Sequence, residues 1–195
     1  LHGNVGQPAD AVRAYCQAPI KGTETRVVIP YEAWLPEWRE NFSPDATLMV
    51  KLLKSLYGHP DSGTFWEEHC DDNLQKVGFD KIDGWSSCYF HRELKTFLSV
   101  YVDDFKMAGP EENMKKAWSL IRSKIELEDP EPLDRYLGCT VEEFEFEKEG
   151  RKIRAIRYNM ADQVKQSVEN YLAAAKDVGY DAKLDPHAQT PFLHE

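Results

Sequence analysis

Apolar residues recur at helical spacing in three stretches of the chain; in shorter stretches they alternate with polar residues or run together as strands do. The first helix is predicted over residues 65–77. Trp66, Cys70, Leu74 and Val77 share one face, Thr64 and Glu67 form an S/T-x-x-E capping box, and Gly78 stands at the stop. Pro110 opens a second helix, with Glu111 and Glu112 in its first turn and Met114, Trp118, Ile121 and Ile125 along one side. Asn159 caps a third, whose apolar face is Val164, Val168, Leu172 and Ala175 and whose stop is Gly179. Strands are predicted at 25–29, 48–52 and 87–91. The run 96–108 is the most apolar of all, and Asp103-Asp104 near its middle divides it into the two strands of a hairpin. A second hairpin joins 141–147 to 152–158 through Glu149-Gly150. Residues 9–18 read as a short strand leading into a turn or short helix before Pro19. Residues 36–45 read as a polar loop with aromatics, residues 181–195 as a loop, and the opening eight residues carry no signal. A β-sheet backed by helices on one face, the α+β class, is the economical sum.

Composition narrows the class. At 42% hydrophobic and 12% aromatic, 195 residues can bury a sizeable core, and no internal repeat suggests a solenoid. No apolar run approaches the length of a membrane span and no signal-peptide pattern opens the chain, so a soluble intracellular protein with no membrane partner is expected. Cys16, Cys70, Cys88 and Cys139 are scattered without a C-x-x-C pair and read as reduced thiols; the six histidines lack zinc spacing. With Leu1 in place of Met, a fragment or a processed piece is expected. The net charge of −10 speaks against tight capture of a phosphate backbone by this piece alone, save where acidic side chains are neutralised by metal.

The chemistry concentrates in carboxylates. Tyr101-Val102-Asp103-Asp104 sets two ionisable side chains beside buried strand residues, an arrangement that is costly unless the pair is solvated, hydrogen-bonded or metal-bound. At a hairpin tip the pair can face a cleft, where two hard divalent cations would activate a 3′-hydroxyl and steady a leaving pyrophosphate. One adjacent pair cannot surround two ions, so a third carboxylate from another strand is needed. Asp10, followed by Ala11, Val12 and, five residues on, Tyr15, is the candidate.

These segments, taken in order, resemble copia-type retrotransposon reverse transcriptases. Asp10…Ala14-Tyr15 resembles the family's first catalytic motif, Tyr101-Val102-Asp103-Asp104 its YxDD motif, and Leu56-Tyr57-Gly58 with Trp66 its LYG…W signature. Tyr136-Leu137-Gly138 resembles its LG motif, and Thr190-Pro191-Phe192 its terminal TP segment. The resemblance implies a palm-like antiparallel sheet backed by helices over residues 1–135, followed by a hairpin, helix and tail over 136–195. It implies an RNA-directed DNA polymerase that uses two Mg²⁺ or Mn²⁺ ions, an RNA or DNA template-primer and deoxynucleoside triphosphates. Asp10 and Asp103 would be direct metal ligands, with Asp104 the third carboxylate of the site. Tyr15 would lie under the incoming sugar as a steric gate, Ala11 and Val12 would offer backbone contacts, Tyr101 would adjoin the substrate, and residues 136–139 would lie near the primer. Two departures stand out. Asp61 occupies the place of a family glutamine, beside His59, a solvent-exposed loop residue on this reading. The chain also begins just before Asp10, which implies that most of the fingers region is lacking. A degenerate or domesticated palm that binds nucleic acid or protein without catalysis is the alternative.

Overall fold

The computed structural model describes residues 3–184. It divides into two units, one running to Leu133 and one beginning at Asp134. In chain order the first holds β1 (Asn4–Asp10), α1 (Ala14–Gln17), β2 (Arg26–Ile29), a 3₁₀ turn (Tyr31–Ala33), α2 (Pro36–Asn41), β3 (Leu48–Lys51) and α3 (Ser62–Lys76). There follow β4 (Asp80–Lys81), β5 (Cys88–His91), β6 (Thr96–Tyr101), β7 (Asp104–Pro110) and α4 (Glu111–Arg122). The second unit holds β8 (Arg135–Tyr136), β9 (Cys139–Lys148), β10 (Arg151–Asn159) and α5 (Ala161–Asp177). The class is α+β.

Five strands of the first unit form an antiparallel sheet in the order β1-β7-β6-β5-β4. Its central hairpin, β6–β7, places Leu98, Phe105 and Met107 in the core, where they meet the buried faces of α3 and α4. Period does the sorting. Trp66, Cys70 and Leu74 recur every fourth residue and are all buried on α3; on α4 the buried Met114, Ala117, Trp118 and Ile121 follow the i, i+3, i+4, i+7 pattern of one helix face. The β2–β3 ribbon stands as a separate two-stranded sheet.

Four sequence expectations need correction. Residues 36–45 are not simply a loop: Pro36 at the first helical position starts α2, and Trp38 turns partly inward while Trp34 packs edge-on against Tyr31 and Phe42. The Thr64/Glu67 capping box does not form, because α3 begins two residues before Thr64, at Ser62, and Asp61 at its N-cap makes no side-chain cap bond. The opening residues carry a strand from Asn4 onward, held against β7 by backbone pairing that needs no apolar alternation. His59 is half-buried, not exposed. Its Nδ1 accepts the Asp61 amide at 3.2 Å and its Nε2 lies 3.2 Å from Thr25 Oγ1.

In the second unit β9 and β10 pair from Lys148↔Arg151 to Thr140↔Asn159, turned by Glu149 and Gly150 at φ 55° and 70°. The Leu137-Gly138 step is likewise a tight turn, between β8 and β9, with φ of 47° and 77°. The positive φ of residue 138 favours glycine there, while the nearest atoms to an added Cβ belong to the movable end of the exposed Gln163 side chain. Asn159 ends β10, and its side chain accepts the Ala161 amide at 3.0 Å at the start of α5. Thr190-Pro191-Phe192 and the end of the 181–195 segment lie outside the described residues.

Candidate active site

The site is built where β1 ends and the β6–β7 hairpin turns. Antiparallel register sets Asp10 directly opposite Asp104, and Tyr101 opposite Asp104 on the other side, leaving Val102 and Asp103 as a two-residue turn. The Ala11 amide donates to the Asp103 carbonyl at 2.7 Å, so the chain leaving β1 stays bonded to the hairpin tip. On its far side the same stretch meets the segment after α4. The Val12 amide donates to the Glu126 carbonyl at 3.0 Å, and the Glu128 amide to the Asp10 carbonyl at 2.9 Å.

Gln17, which sequence reasoning left aside, holds this junction, and Tyr57, singled out in the sequence only within the LYG signature, stands beside the site. Gln17, on α1, donates through Nε2 to the carbonyls of Val12 (2.8 Å) and Glu126 (2.9 Å) and accepts the Glu126 amide through Oε1 (2.8 Å). Tyr57 stacks on Tyr15 at a centroid distance of 4.7 Å. Partial desolvation and then the Asp103 charge hold its phenol above the ordinary range, although more than half of the residue is open to solvent. Tyr57 belongs to the LYG segment, and only this proximity to Asp103 and Tyr15 ties it to the carboxylates. No spacing in the sequence could have done so.

The electrostatics are those of crowded acids. Asp104 is partly buried, whereas Asp10 and Asp103 are exposed. Burial first, then the charges of Asp10 and Asp103 and a hydrogen bond with Asp10, push the Asp104 carboxyl above its usual range. A small cleft of about 80 Å³ beside Asp10 is lined by Glu128, Asp129 and Glu131, which deepens the negative potential. A larger cavity of about 290 Å³ lies against Tyr15, Trp66, Tyr89, Tyr101 and Val102. Asp61 is exposed at the start of α3.

Hard oxygen donors facing one another suit Mg²⁺ or Mn²⁺ in kind. Among the described residues, however, no group of three or more His, Cys, Asp or Glu side chains is gathered to hold a metal ion. Asp10 and Asp104 are coupled by register and hydrogen bond, and Asp103 acts on Asp104 through its charge. Such an open set fits a cation whose shell is completed by water and substrate oxygens.

The α+β chain thus brings an Asp-Asp hairpin against a third aspartate on a neighbouring strand. Residues 38–177 match the model of the reverse transcriptase (RNA-dependent DNA polymerase) family, and the chain belongs to that family. The match takes in Tyr57, Trp66 and the Asp103-Asp104 hairpin; Asp10 precedes it. Among curated proteins of Saccharomyces cerevisiae, a putative transposon Ty5-1 protein is 26% identical over 97 residues, covering 47% of this chain and 30% of its own. The transposon Ty1-DR4 Gag-Pol polyprotein is 30% identical over 125 residues, covering 64% of this chain and 7% of its own. The chain thus spans under a third of the length of either, and both support the copia-type resemblance. No solved structure matches.

Proposed function

We propose that this chain is the palm-like core of an RNA-directed DNA polymerase from a copia-type retrotransposon polyprotein. It would extend a primer on an RNA or DNA template with deoxynucleoside triphosphates, in an intracellular setting suited to its four unpaired cysteines. The observation that carries the reading is the register Asp10↔Asp104 beside the Asp103 turn, inside a chain of the reverse transcriptase family. Two divalent cations, when bound, would supply an activated 3′-hydroxyl and neutralise the leaving pyrophosphate.

The protein's own part is positioning and charge. Asp10 and Asp103, both open to solvent, offer carboxylate oxygens to the ions, and Asp104 supplies the third acid of the set. With its pKa raised, Asp104 retains a proton more readily than a free aspartate does and would shed it when positive charge arrives. Tyr15, backed by Tyr57, would set a wall beneath the sugar. The backbone at Ala11 and Val12 is committed to the Asp103 and Glu126 carbonyls, which leaves the Ala11 and Val12 carbonyls as the groups on offer; that of Val12 already accepts from Gln17. Tyr101, exposed at the end of β6, completes the substrate face.

Primer extension by the polymerase domain, wild type against Asp103→Asn, tests the reading. Loss of extension by a thousandfold or more, on the scale of removing a transition-state charge stabiliser, is expected with an unchanged circular-dichroism spectrum. Full activity in the folded variant sinks the two-metal assignment, and a folded wild-type domain that extends no primer makes a non-catalytic palm the better description.

A further inference from the structure

Trp66 is 3% exposed, and its indole Nε1–H donates to the Val102 carbonyl at 2.7 Å, across 36 residues of sequence. That carbonyl belongs to the first residue of the carboxylate turn. Val102 sits at φ 56°, a left-handed conformation that is a genuine outlier for a β-branched side chain. The two-residue turn between β6 and β7 imposes that conformation on its first residue, and because valine tolerates it poorly, a further bond at this carbonyl helps to hold the turn and the residue that follows. The next residue is Asp103, whose own carbonyl accepts the Ala11 amide. The tip is therefore fixed by one bond from α3 and one from the chain leaving β1, with Asp103 between them. An indole on a helix makes a rigid donor, since α3 is anchored in the core through Cys70 and Leu74.

We propose that Trp66 is a positioning residue for the carboxylate hairpin: its buried N–H holds the Val102 turn and thereby presents Asp103 to Asp10. The proposal rests on the polymerase reading for its catalytic consequence and on geometry alone for its structural one. Packing by itself would be served by any large ring at this position; the proposal requires the nitrogen.

The test is Trp66→Phe in the full chain, which keeps a buried aromatic ring and removes the donor. Hydrogen exchange of the Ala11 amide reads the hairpin tip directly. Roughly tenfold faster exchange is expected, the scale of one buried hydrogen bond, with the Leu98 and Met107 amides unchanged. In the extension assay kcat should fall about tenfold with an unaltered KM for nucleotide. A second substitution, Val102→Asn, should restore both in the Trp66→Phe background, because asparagine accepts the left-handed region far more readily than valine. Unchanged Ala11 exchange in folded Trp66→Phe overturns the proposal, and so does a defect that Val102→Asn leaves unrepaired, which assigns it to packing. Should Trp66→Phe not fold, Val102→Asn alone decides: the proposal requires it to slow Ala11 exchange, and faster or equal exchange overturns it. If wild type fails to extend a primer at all, the polymerase reading falls while the exchange arm still decides Trp66.

Discussion

Asp104 is pressed by burial and by two acidic neighbours, and its protonation makes a measurable claim. Its pKa is raised above the ordinary 3.8 in the folded chain, by burial first and by its acidic neighbours next. The folded state therefore keeps a proton that the unfolded chain has released, and stability falls as pH rises through that window. Below the ordinary value both states are protonated and the group contributes nothing. Asp104→Asn should accordingly raise the melting temperature at pH 7 in EDTA and leave it unchanged at pH 3; a lower melting temperature at pH 7 would contradict the assigned cause. Tyr15 makes a claim about selectivity. If it walls the sugar, Tyr15→Val should raise ribonucleotide over deoxyribonucleotide use in the active polymerase by about tenfold or more, one discriminating contact's worth. An unchanged ratio would reduce Tyr15 to a ring stacked on Tyr57. The candidates Asp10, Asp103, Asp104 and Tyr15 were legible because their residue types and order are chemically restrictive. Tyr57, Gln17 and the Trp66 N–H bond were not, since each acts through a partner brought near by folding.

At the scale of elements, the helices that met the core were the most readable, because a fourfold recurrence of apolar residues survives any detail of packing. Their starts were less so. The Thr64-x-x-Glu67 pattern is a real capping signature, yet α3 gains an earlier turn in which the buried Ser62 hydroxyl donates to the Leu56 carbonyl at 2.7 Å. The Gln17 clamp has a predictable worth. It satisfies the Val12 carbonyl and both backbone groups of Glu126 with one side chain, at a junction half open to water. Gln17→Ala should destabilise the chain by about 1–2 kcal/mol in urea unfolding, since water replaces only part of what is lost. No change in midpoint would mean that the segment after α4 is held without Gln17, by bonds such as those to Pro8, Asp10 and Val12.

For the whole molecule, the net charge of −10 and the acids around Asp10 set the terms on which cations are received. A ligand that binds only the folded state stabilises it by mass action, about 1.4 kcal/mol at ten times Kd. Mn²⁺ at that level should raise the melting temperature by roughly 3–6 °C in a chain of this size. Asp103→Asn should abolish most of the rise, and an equal rise in that variant would place the ion elsewhere. No helix among the described residues is long and apolar enough to cross a membrane.

The order of chemically restrictive residues along the chain determined the family resemblance, the α+β class and three candidate carboxylates, because periodicity and motif spacing are local properties that one dimension can hold. Tertiary structure alone decided that Asp10 faces Asp104, that Gln17 ties α1 to the segment after α4, and that an indole on α3 reaches the carbonyl of a left-handed valine. Those facts depend on strand register and helix placement, which are set by the burial of the whole core. A shift of one residue in β1 would carry Asp10 to the opposite face of the sheet without altering a single letter of its motif.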